Sequence, residues 1–265
     1  MCIRDSVRND DGVAYLEAMS PVDCIFLDPA RRNEHGGKTV AISDCEPNVA
    51  ELEGLLLSKA NRIMIKLSPM LDLSQALKEL PHTQEVHIIS VNNECKELLL
   101  LLGQTAPEEI PVHCVNLSTK GEQEKQLFVF TREQEQHSEC SYTDTLGNYL
   151  YEPNASLLKA GAFRSIAAAY SVKKLHPNSH LYTSDTQIEG FPGRTFRIIN
   201  RCSLNKKEIK ENLSDLKKAN ITVRNFPATV AELRKRIKLA EGGDTYLFAS
   251  TLNDGQKILI RCGKV

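Results

Sequence analysis

The sequence predicts an α/β protein in which a mostly parallel sheet is followed by a second, smaller α+β domain. Three short apolar runs, at 22–28, 61–68 and 85–91, are typical of strands buried on both faces of a sheet. Helical patterns separate these runs, and strand-helix-strand alternation indicates right-handed crossovers with helices on both faces. Residues 194–265 alternate strands and helices with a different spacing, which predicts a separate sheet.

The helices and the end of the first sheet have local signals. A helix is predicted at 47–60, where Pro47 suits a first helical position, and another at 72–80. The apolar runs at 111–118 and 125–131 are separated by a polar segment. This arrangement predicts an antiparallel pair that closes the sheet.

These patterns divide the chain into four parts. The first domain is predicted at 7–131, and the polar, aperiodic residues 132–150 predict a linker. A strongly helical segment at 154–175 dominates the part at 151–193, and the α+β domain occupies 194–265.

The chain is expected to be a fragment. Residues 1–6 do not resemble the start of a domain, and they lead directly into what looks like the middle of a strand-loop-helix unit. They resemble translated adaptor sequence and are excluded from the fold prediction.

The formal net charge of −1 hides a strong asymmetry along the chain. Residues 193–265 carry 16 Lys and Arg against 7 Asp and Glu, whereas acids predominate in the preceding residues. Such a split is typical of a nucleic-acid-binding module attached to an acidic body. A basic face that is only solvated is the alternative.

Composition argues against several other classes of protein. The eight cysteines include no Cys-x-x-Cys pair and the seven histidines are isolated, so neither a metal site nor a disulfide framework is predicted. The longest apolar run, 98–102, is far too short to span a bilayer, and no secretion signal opens the chain. We therefore expect a cytoplasmic protein without a membrane or metal partner.

A candidate site follows the first strand. In open α/β sheets, ligands bind outside the carboxyl ends of the strands, where Asp28 lies. The 18 residues at 29–46 form an unusually long connection to the next helix. Pro29 restricts the backbone of Asp28, and Arg31 and Arg32 add guanidinium groups suited to phosphate or carboxylate. In the alternative interpretation, Asp28 caps a helix and the arginines are solvated.

Two stretches resemble motifs of class I S-adenosylmethionine-dependent methyltransferases. The sequence VDCIFLDPARR at 22–32 resembles their fourth motif, in which a strand delivers D/N-P-P-aromatic to the reacting methyl group. The sequence RNDDGVAYL at 8–16 resembles their third motif, in which an acid before a short helix accepts from the adenine amino group. Asp11, or else Asp10, would have that role.

The resemblance extends over most of the chain. The whole chain resembles a bacterial methyltransferase family that carries a small ferredoxin-like insert and a THUMP-like domain, the latter associated with RNA binding. The most distinctive stretch of sequence is TVAELRKRIKLAEGGDTYLFAS at 229–250. The antiparallel pair predicted at 111–118 and 125–131 is similar to the last two strands of the class I methyltransferase fold. The resemblance implies a Rossmann-like class I methyltransferase sheet that is partial, with its first strands missing.

The resemblance also implies S-adenosylmethionine as cofactor and RNA as partner. Asp28 and Pro29 would accept hydrogen bonds from an exocyclic amine. Ala30 and Arg31 stand where amino-group methylators have proline and an aromatic ring, so Arg31 would stack by its guanidinium plane or bind a phosphate instead. Arg32 would add a second guanidinium group at the site. The glycine-rich first motif is missing, and the fragment is therefore expected to be inactive alone.

Further residues complete the predicted sites. Lys66, Ser68 and Pro69, at the end of the next strand, would line the wall beside Ala30, unless they only form a capped turn with an exposed lysine. Two amphipathic helices of the tail direct cations outward, which predicts contacts with an RNA backbone. Those cations are Lys206, Lys207, Lys217, Lys218, Arg234, Lys235, Arg236 and Lys238.

An RNA methyltransferase is thus the function that the sequence favours. Two alternatives remain open at this point. The first is a non-catalytic RNA-binding protein whose α/β domain has lost the cofactor. The second is a small-molecule methyltransferase with a basic dimerisation tail.

Overall fold

The computed structural model describes residues 6–31, 41–119 and 125–265. The first part contains two sheets, of six and two strands, with helices alongside. Its elements are α1 (Gly12–Ala18), β1 (Val22–Leu27), β2 (Ala30–Arg31), a 3₁₀ turn (Ile42–Asp44), β3 (Cys45–Glu46), α2 (Val49–Lys59), β4 (Ala60–Leu67), α3 (Leu73–Glu79), β5 (Thr83–Val91), β6 (Glu94–Leu102), β7 (Pro111–Leu117) and β8 (Lys125–Thr131).

The remaining residues build a seven-stranded sheet with helices on one side and at its edge. The elements are α4 (Arg132–His137), β9 (Tyr149–Pro153), α5 (Ala155–Ala160), α6 (Arg164–Ala169), β10 (Lys173–Lys174), β11 (Tyr182–Ser184), β12 (Gly193–Cys202), α7 (Lys206–Leu213), β13 (Asn220–Arg224), α8 (Val230–Ile237), β14 (Thr245–Thr251) and β15 (Lys257–Lys264).

Four strands of the six-stranded sheet point in one direction. The strand order is β1-β4-β6-β5-β7-β8. Strand β1 pairs in parallel with β4, and β5 pairs in parallel with β7. Strand β6 is antiparallel to both of its neighbours, β4 and β5, so the two parallel pairs share a direction. Their carboxyl ends therefore meet at one edge of the sheet, and β8 closes the far side as the predicted antiparallel partner of β7.

The sequence prediction missed β6, the strand in the middle of this sheet. Asn92 and Asn93 both have positive φ angles, of 51° and 63°, and form the two-residue turn that reverses β5 into β6. The apolar run 98–102 is the buried half of β6, with Leu98 and Leu100 fully buried. The prediction that these strands form a parallel sheet without β6 is therefore wrong, because the hairpin inserts an antiparallel strand between β4 and β5.

Strand β1 is not buried on both faces as predicted. It lies at an edge of the sheet with β4 as its only strand neighbour among the described residues. Phe26 is 58% exposed and Val22 41% exposed, whereas Ile25 and Leu27 are half-buried against the core. One face of β1 packs inward, and the other is open in this chain.

The first sheet and the following segment share one hydrophobic core. Helices α2, α3 and α5 cover the inner face of the sheet, where Ile65, Ile88 and Val112 are fully buried. Tyr151 and Tyr182, from the seven-stranded sheet, belong to the same core. The predicted linker at 132–150 is therefore structured: α4 begins with a capping box at Thr131 and lies against β8 and α6.

The helical segment predicted at 154–175 is two short helices and a strand. Helix α5 ends at Gly161, whose φ of 76° is left-handed and stops the helix. Helix α6 and strand β10 follow. The β-rich part at 194–265 is also not a separate sheet, because β12 pairs with β9 and the strand order is β10-β11-β9-β12-β15-β14-β13.

Helices α7 and α8 cover one face of this sheet, as their apolar faces predict. Leu213 and Leu233 pack there against Leu247 and Leu259. On the other face, Phe196 packs with Phe248 and other side chains of the sheet. The cationic faces of both helices are left toward solvent.

A buried carboxylate connects β9 to its neighbour β12 and to β13 at the far edge of the sheet. Glu152 is 2% exposed and accepts from Nε of Arg194 at 2.9 Å and from Nη2 of Arg224 at 3.0 Å. The side chains of both arginines are more than a third exposed, so solvent screens part of the attraction. The carboxylate itself is desolvated and depends on both partners.

We predict that Glu152→Gln lowers the free energy of unfolding by about 2–3 kcal/mol, because the amide leaves two guanidinium groups without a charged acceptor. Urea denaturation followed by circular dichroism measures the change. Glu189→Gln, on an exposed loop, is the control and should stay within about 0.5 kcal/mol. Equal effects of the two substitutions would contradict the role of Glu152.

Candidate active site

The pairing of β1 with β4 determines the position of Asp28. Leu27 is in register with Ile65, so Asp28 follows β1 directly beside Lys66. Oδ2 of Asp28 lies 2.6 Å from Nζ of Lys66, and Oε2 of Glu97 lies 3.9 Å from the same nitrogen. Asp28 therefore forms an ion pair at the carboxyl edge of the sheet, and it caps no helix among the described residues.

The ion pair borders a polar cavity of about 340 Å³. The structure places six of the predicted site residues around it: Asp28, Pro29, Ala30, Lys66, Ser68 and Pro69. The backbone of Arg31 pairs with Cys45 in the short β2-β3 ladder, and Arg32 lies outside the described residues. The wall provides carboxylate, ammonium and hydroxyl groups with little apolar surface.

Lys96 and Glu97 also line the cavity and were missed by the sequence prediction. Both lie at the start of β6, which the pattern did not identify as a strand. The available signal was the pair Asn92-Asn93 between two apolar runs, which is a hairpin signal. Recognising it would have brought Glu97 to the carboxyl edge of the sheet.

Electrostatics strengthen the pairing of Lys66. The hydrogen bond to Asp28 raises the pKa of Lys66 above its ordinary value, and the negative charge of Glu97 adds to this effect, although partial burial opposes it. The lysine is therefore fully charged at neutral pH.

Ser68 has a local role as well, because its Oγ accepts from the backbone N–H of Met70 at 3.2 Å, as the capped-turn alternative predicts.

The structure distinguishes the two candidate acids before α1. Oδ1 of Asp11 caps the helix by accepting from the N–H groups of Val13 and Ala14. Asp11 also lines a cavity of about 590 Å³, and Cys45 lines both this cavity and the one at Asp28. Asp10 lines a different cavity, of about 490 Å³, on the other side of α1.

The largest of these cavities, about 630 Å³, lies elsewhere, between the two large sheets. Its buried amides are satisfied by one another: Asn116 donates to Gln126, and Asn154 donates to the same oxygen. The start of β12 and the end of β15 also line this cavity. We regard it as a polar contact region between the two sheets, because its buried amides are paired with one another.

The predicted RNA-binding cations fall into two groups. Arg234 donates to the carbonyl of Ala219 at 3.3 Å, and Arg236 donates to the carbonyl of Leu204 at 2.7 Å, so both contribute to packing of α8. The other six side chains are exposed: Lys206, Lys207, Lys217, Lys218, Lys235 and Lys238.

Comparison with known proteins identifies two domains of the chain. Residues 149–192 match a family of ferredoxin-like domains, and residues 193–264 match a THUMP domain-like family. These matches cover the whole seven-stranded sheet. No curated protein matches the chain significantly by sequence.

A solved structure resembles nearly the whole chain. It is the crystal structure of a candidate methyltransferase from Porphyromonas gingivalis W83, with 40% sequence identity and a TM-score of 0.83. The alignment covers 92% of this chain and 60% of that protein, so the chain spans little more than half of its relative. Fold and site thus define an α/β sheet with a polar cavity at its carboxyl edge, joined to ferredoxin-like and THUMP-like domains.

In the part of the chain that the structure describes, no helix has the length and apolarity needed to cross a membrane.

We predict that Asp28→Asn lowers the pKa of Lys66 toward its ordinary value, because the amide removes the charged acceptor at 2.6 Å. NMR titration of ¹³C-labelled lysine side chains measures the shift. Glu94→Gln is the matched control, since Glu94 pairs with Lys96 at 2.7 Å and does not contact Lys66. An unchanged pKa in Asp28→Asn would show that the ion pair does not form in solution.

Proposed function

We propose that this protein is an S-adenosylmethionine-dependent methyltransferase that acts on RNA. The observation that carries the proposal is the Asp28 cavity at the carboxyl edge of the first sheet, in a chain that is 40% identical in sequence to a candidate methyltransferase. The THUMP domain-like match at 193–264 supports RNA as the substrate class. This function unites the two halves of the chain.

The cavities that meet at Cys45 fit a cofactor beside a methyl acceptor. S-adenosylmethionine supplies an electrophilic methyl group on a sulfonium ion. In this proposal Asp11 accepts from the adenine amino group through Oδ2, because Oδ1 carries both helix-cap hydrogen bonds. The adjoining cavity then holds the acceptor against Asp28.

Positioning is the main catalytic contribution that these residues offer. Methyl transfer requires nucleophile and methyl carbon to be held in line at short range, and it needs few acid-base groups. Asp28 and the carbonyl of Pro29 accept hydrogen bonds from the methyl acceptor, and Lys66 pairs with Asp28 until the acceptor takes the place of the lysine. Lys66 and Lys96 also offer contacts to a phosphate of the RNA.

The acceptor is expected to be bound by polar contacts. Ala30 provides no ring on which a base could stack, and the cavity wall consists mainly of charged and hydroxyl side chains together with Pro29 and Pro69. Arg31 is proposed to compensate by stacking or by binding phosphate. The six exposed lysines, which lie on α7 and α8 and in the segments that follow them, then hold the RNA backbone at a second point.

Methyl transfer tests the enzymatic part of this proposal. The complete product of the gene and the present chain are each incubated with methyl-labelled S-adenosylmethionine and total RNA. We predict incorporation with the complete product and its loss, by a factor of about 100 or more, in Asp28→Ala, because the acceptor is no longer positioned.

Asp23→Asn is the matched control, because Asp23 is exposed on the same strand and lies away from the cavity. It should retain activity. Full activity of Asp28→Ala would exclude this cavity as the site. Incorporation into small molecules but not RNA would favour the alternative of a small-molecule methyltransferase.

Salt dependence tests the RNA-binding part. If the six exposed lysines contact phosphates of single-stranded RNA, the slope of log affinity against log salt should be roughly −4. Replacing Lys206 and Lys207 with Gln should flatten this slope by about 1.4. The control replaces Lys78 and Lys173, which are exposed outside the two helices, and should leave the slope unchanged. Binding that is independent of salt would contradict the proposed interface.

A further inference from the structure

Two histidines that are distant in sequence stack against each other on the open face of the first sheet. His87 on β5 and His113 on β7 are register partners across a parallel pair. Their ring centroids are 4.4 Å apart and the rings are nearly parallel, at 8°. The sequence prediction treated every histidine as isolated, which is wrong for these two.

A carboxylate completes a convergent group. Glu85 lies two residues before His87 on the same strand and therefore on the same face. Its Oε2 is 3.1 Å from Nε2 of His87 and 3.8 Å from Nε2 of His113. The three potential ligand atoms all lie within 4.8 Å of one another.

Hydrogen bonding alone leaves this arrangement incompletely satisfied. The distance of 3.1 Å allows a hydrogen bond between His87 and Glu85, but 3.8 Å is too long for one between His113 and Glu85. A cation shared by the three atoms requires the stacked rings to turn, because the lone pair of each imidazole nitrogen lies in its own ring plane. The side chains are 25% to 45% exposed, so an ion can enter from solvent.

We propose that Glu85, His87 and His113 form a binding site for a divalent transition-metal ion of the zinc class. Two imidazole nitrogens and one carboxylate oxygen are a preferred ligand set for Zn²⁺ and related ions, whereas Mg²⁺ and Ca²⁺ prefer oxygen ligands. Three protein ligands leave a coordination position open to water or to a fourth donor.

The proposed metal site is separate from the Asp28 cavity but shares its sheet face. Lys66 is in register with Leu99 of β6, and Leu99 is in register with His87. Two strand spacings place Lys66 and His87 about 10 Å apart. The site bridges β5 and β7, so a bound ion would stabilise their pairing, and it does not depend on the proposed methyltransferase activity.

Metal titration of the whole chain tests this proposal. The parent for the experiment carries Cys24→Ser and Cys2→Ser, because Cys24 is an exposed thiol that could bind zinc by itself. Isothermal titration with Zn²⁺ should give one saturable site per chain, and Co²⁺ should give visible absorption bands without a thiolate charge-transfer band. Mg²⁺ should not compete. We expect His87→Asn and His113→Asn each to weaken Zn²⁺ binding by more than about tenfold.

Matched variants separate the site from adventitious binding. His137→Asn removes an exposed imidazole on α4 and should leave Zn²⁺ affinity unchanged. Glu85→Gln keeps the shape of the site and should also weaken binding, which covers the case in which a histidine variant fails to fold. Absence of saturable Zn²⁺ binding, or unchanged affinity in Glu85→Gln and the folded histidine variants, would overturn the proposal.

Discussion

The parallel pairing of β1 with β4 is the constraint on which the candidate site depends. Strand β1 is an edge strand with one exposed face, so its position is determined mainly by its backbone hydrogen bonds to β4. Their register brings Asp28 beside Lys66. A slip by one residue would turn Asp28 away from the lysine and dissolve the ion pair, because side chains alternate between faces. Lys59 supports the same edge by donating to the carbonyls of Glu17 and Met19.

Strand β6 has two effects on the site. As an antiparallel strand between β4 and β5, it keeps the four parallel strands in one direction, so their carboxyl ends remain at a common edge. Its first residues also supply charges to the cavity, including Glu97. The turn Asn92-Asn93 that starts β6 is thus part of what assembles the site.

Local patterns in the sequence predicted much of this architecture. Apolar runs located β1, β4 and β5, and the position of Asp28 after a strand led to the cavity. Pairings between distant segments were not predictable in this way. The stacking of His87 on His113, the union of β9 with β12 and the exposed face of Phe26 all depend on which strands become neighbours. A single sequence read locally contains periodicity and turn signals, but it does not specify such neighbours.

In the proposed function, the cofactor binds beside Asp11, the methyl acceptor binds beside Asp28, and the RNA backbone lies along the exposed lysines of the THUMP-like part. A crystal structure of the complete gene product with S-adenosylhomocysteine tests this arrangement most directly. We predict that the adenine lies against Asp11 and that the sulfur faces the cavity bordered by Asp28 and Lys66. A ligand bound elsewhere, or a sulfur directed away from Asp28, would contradict the account.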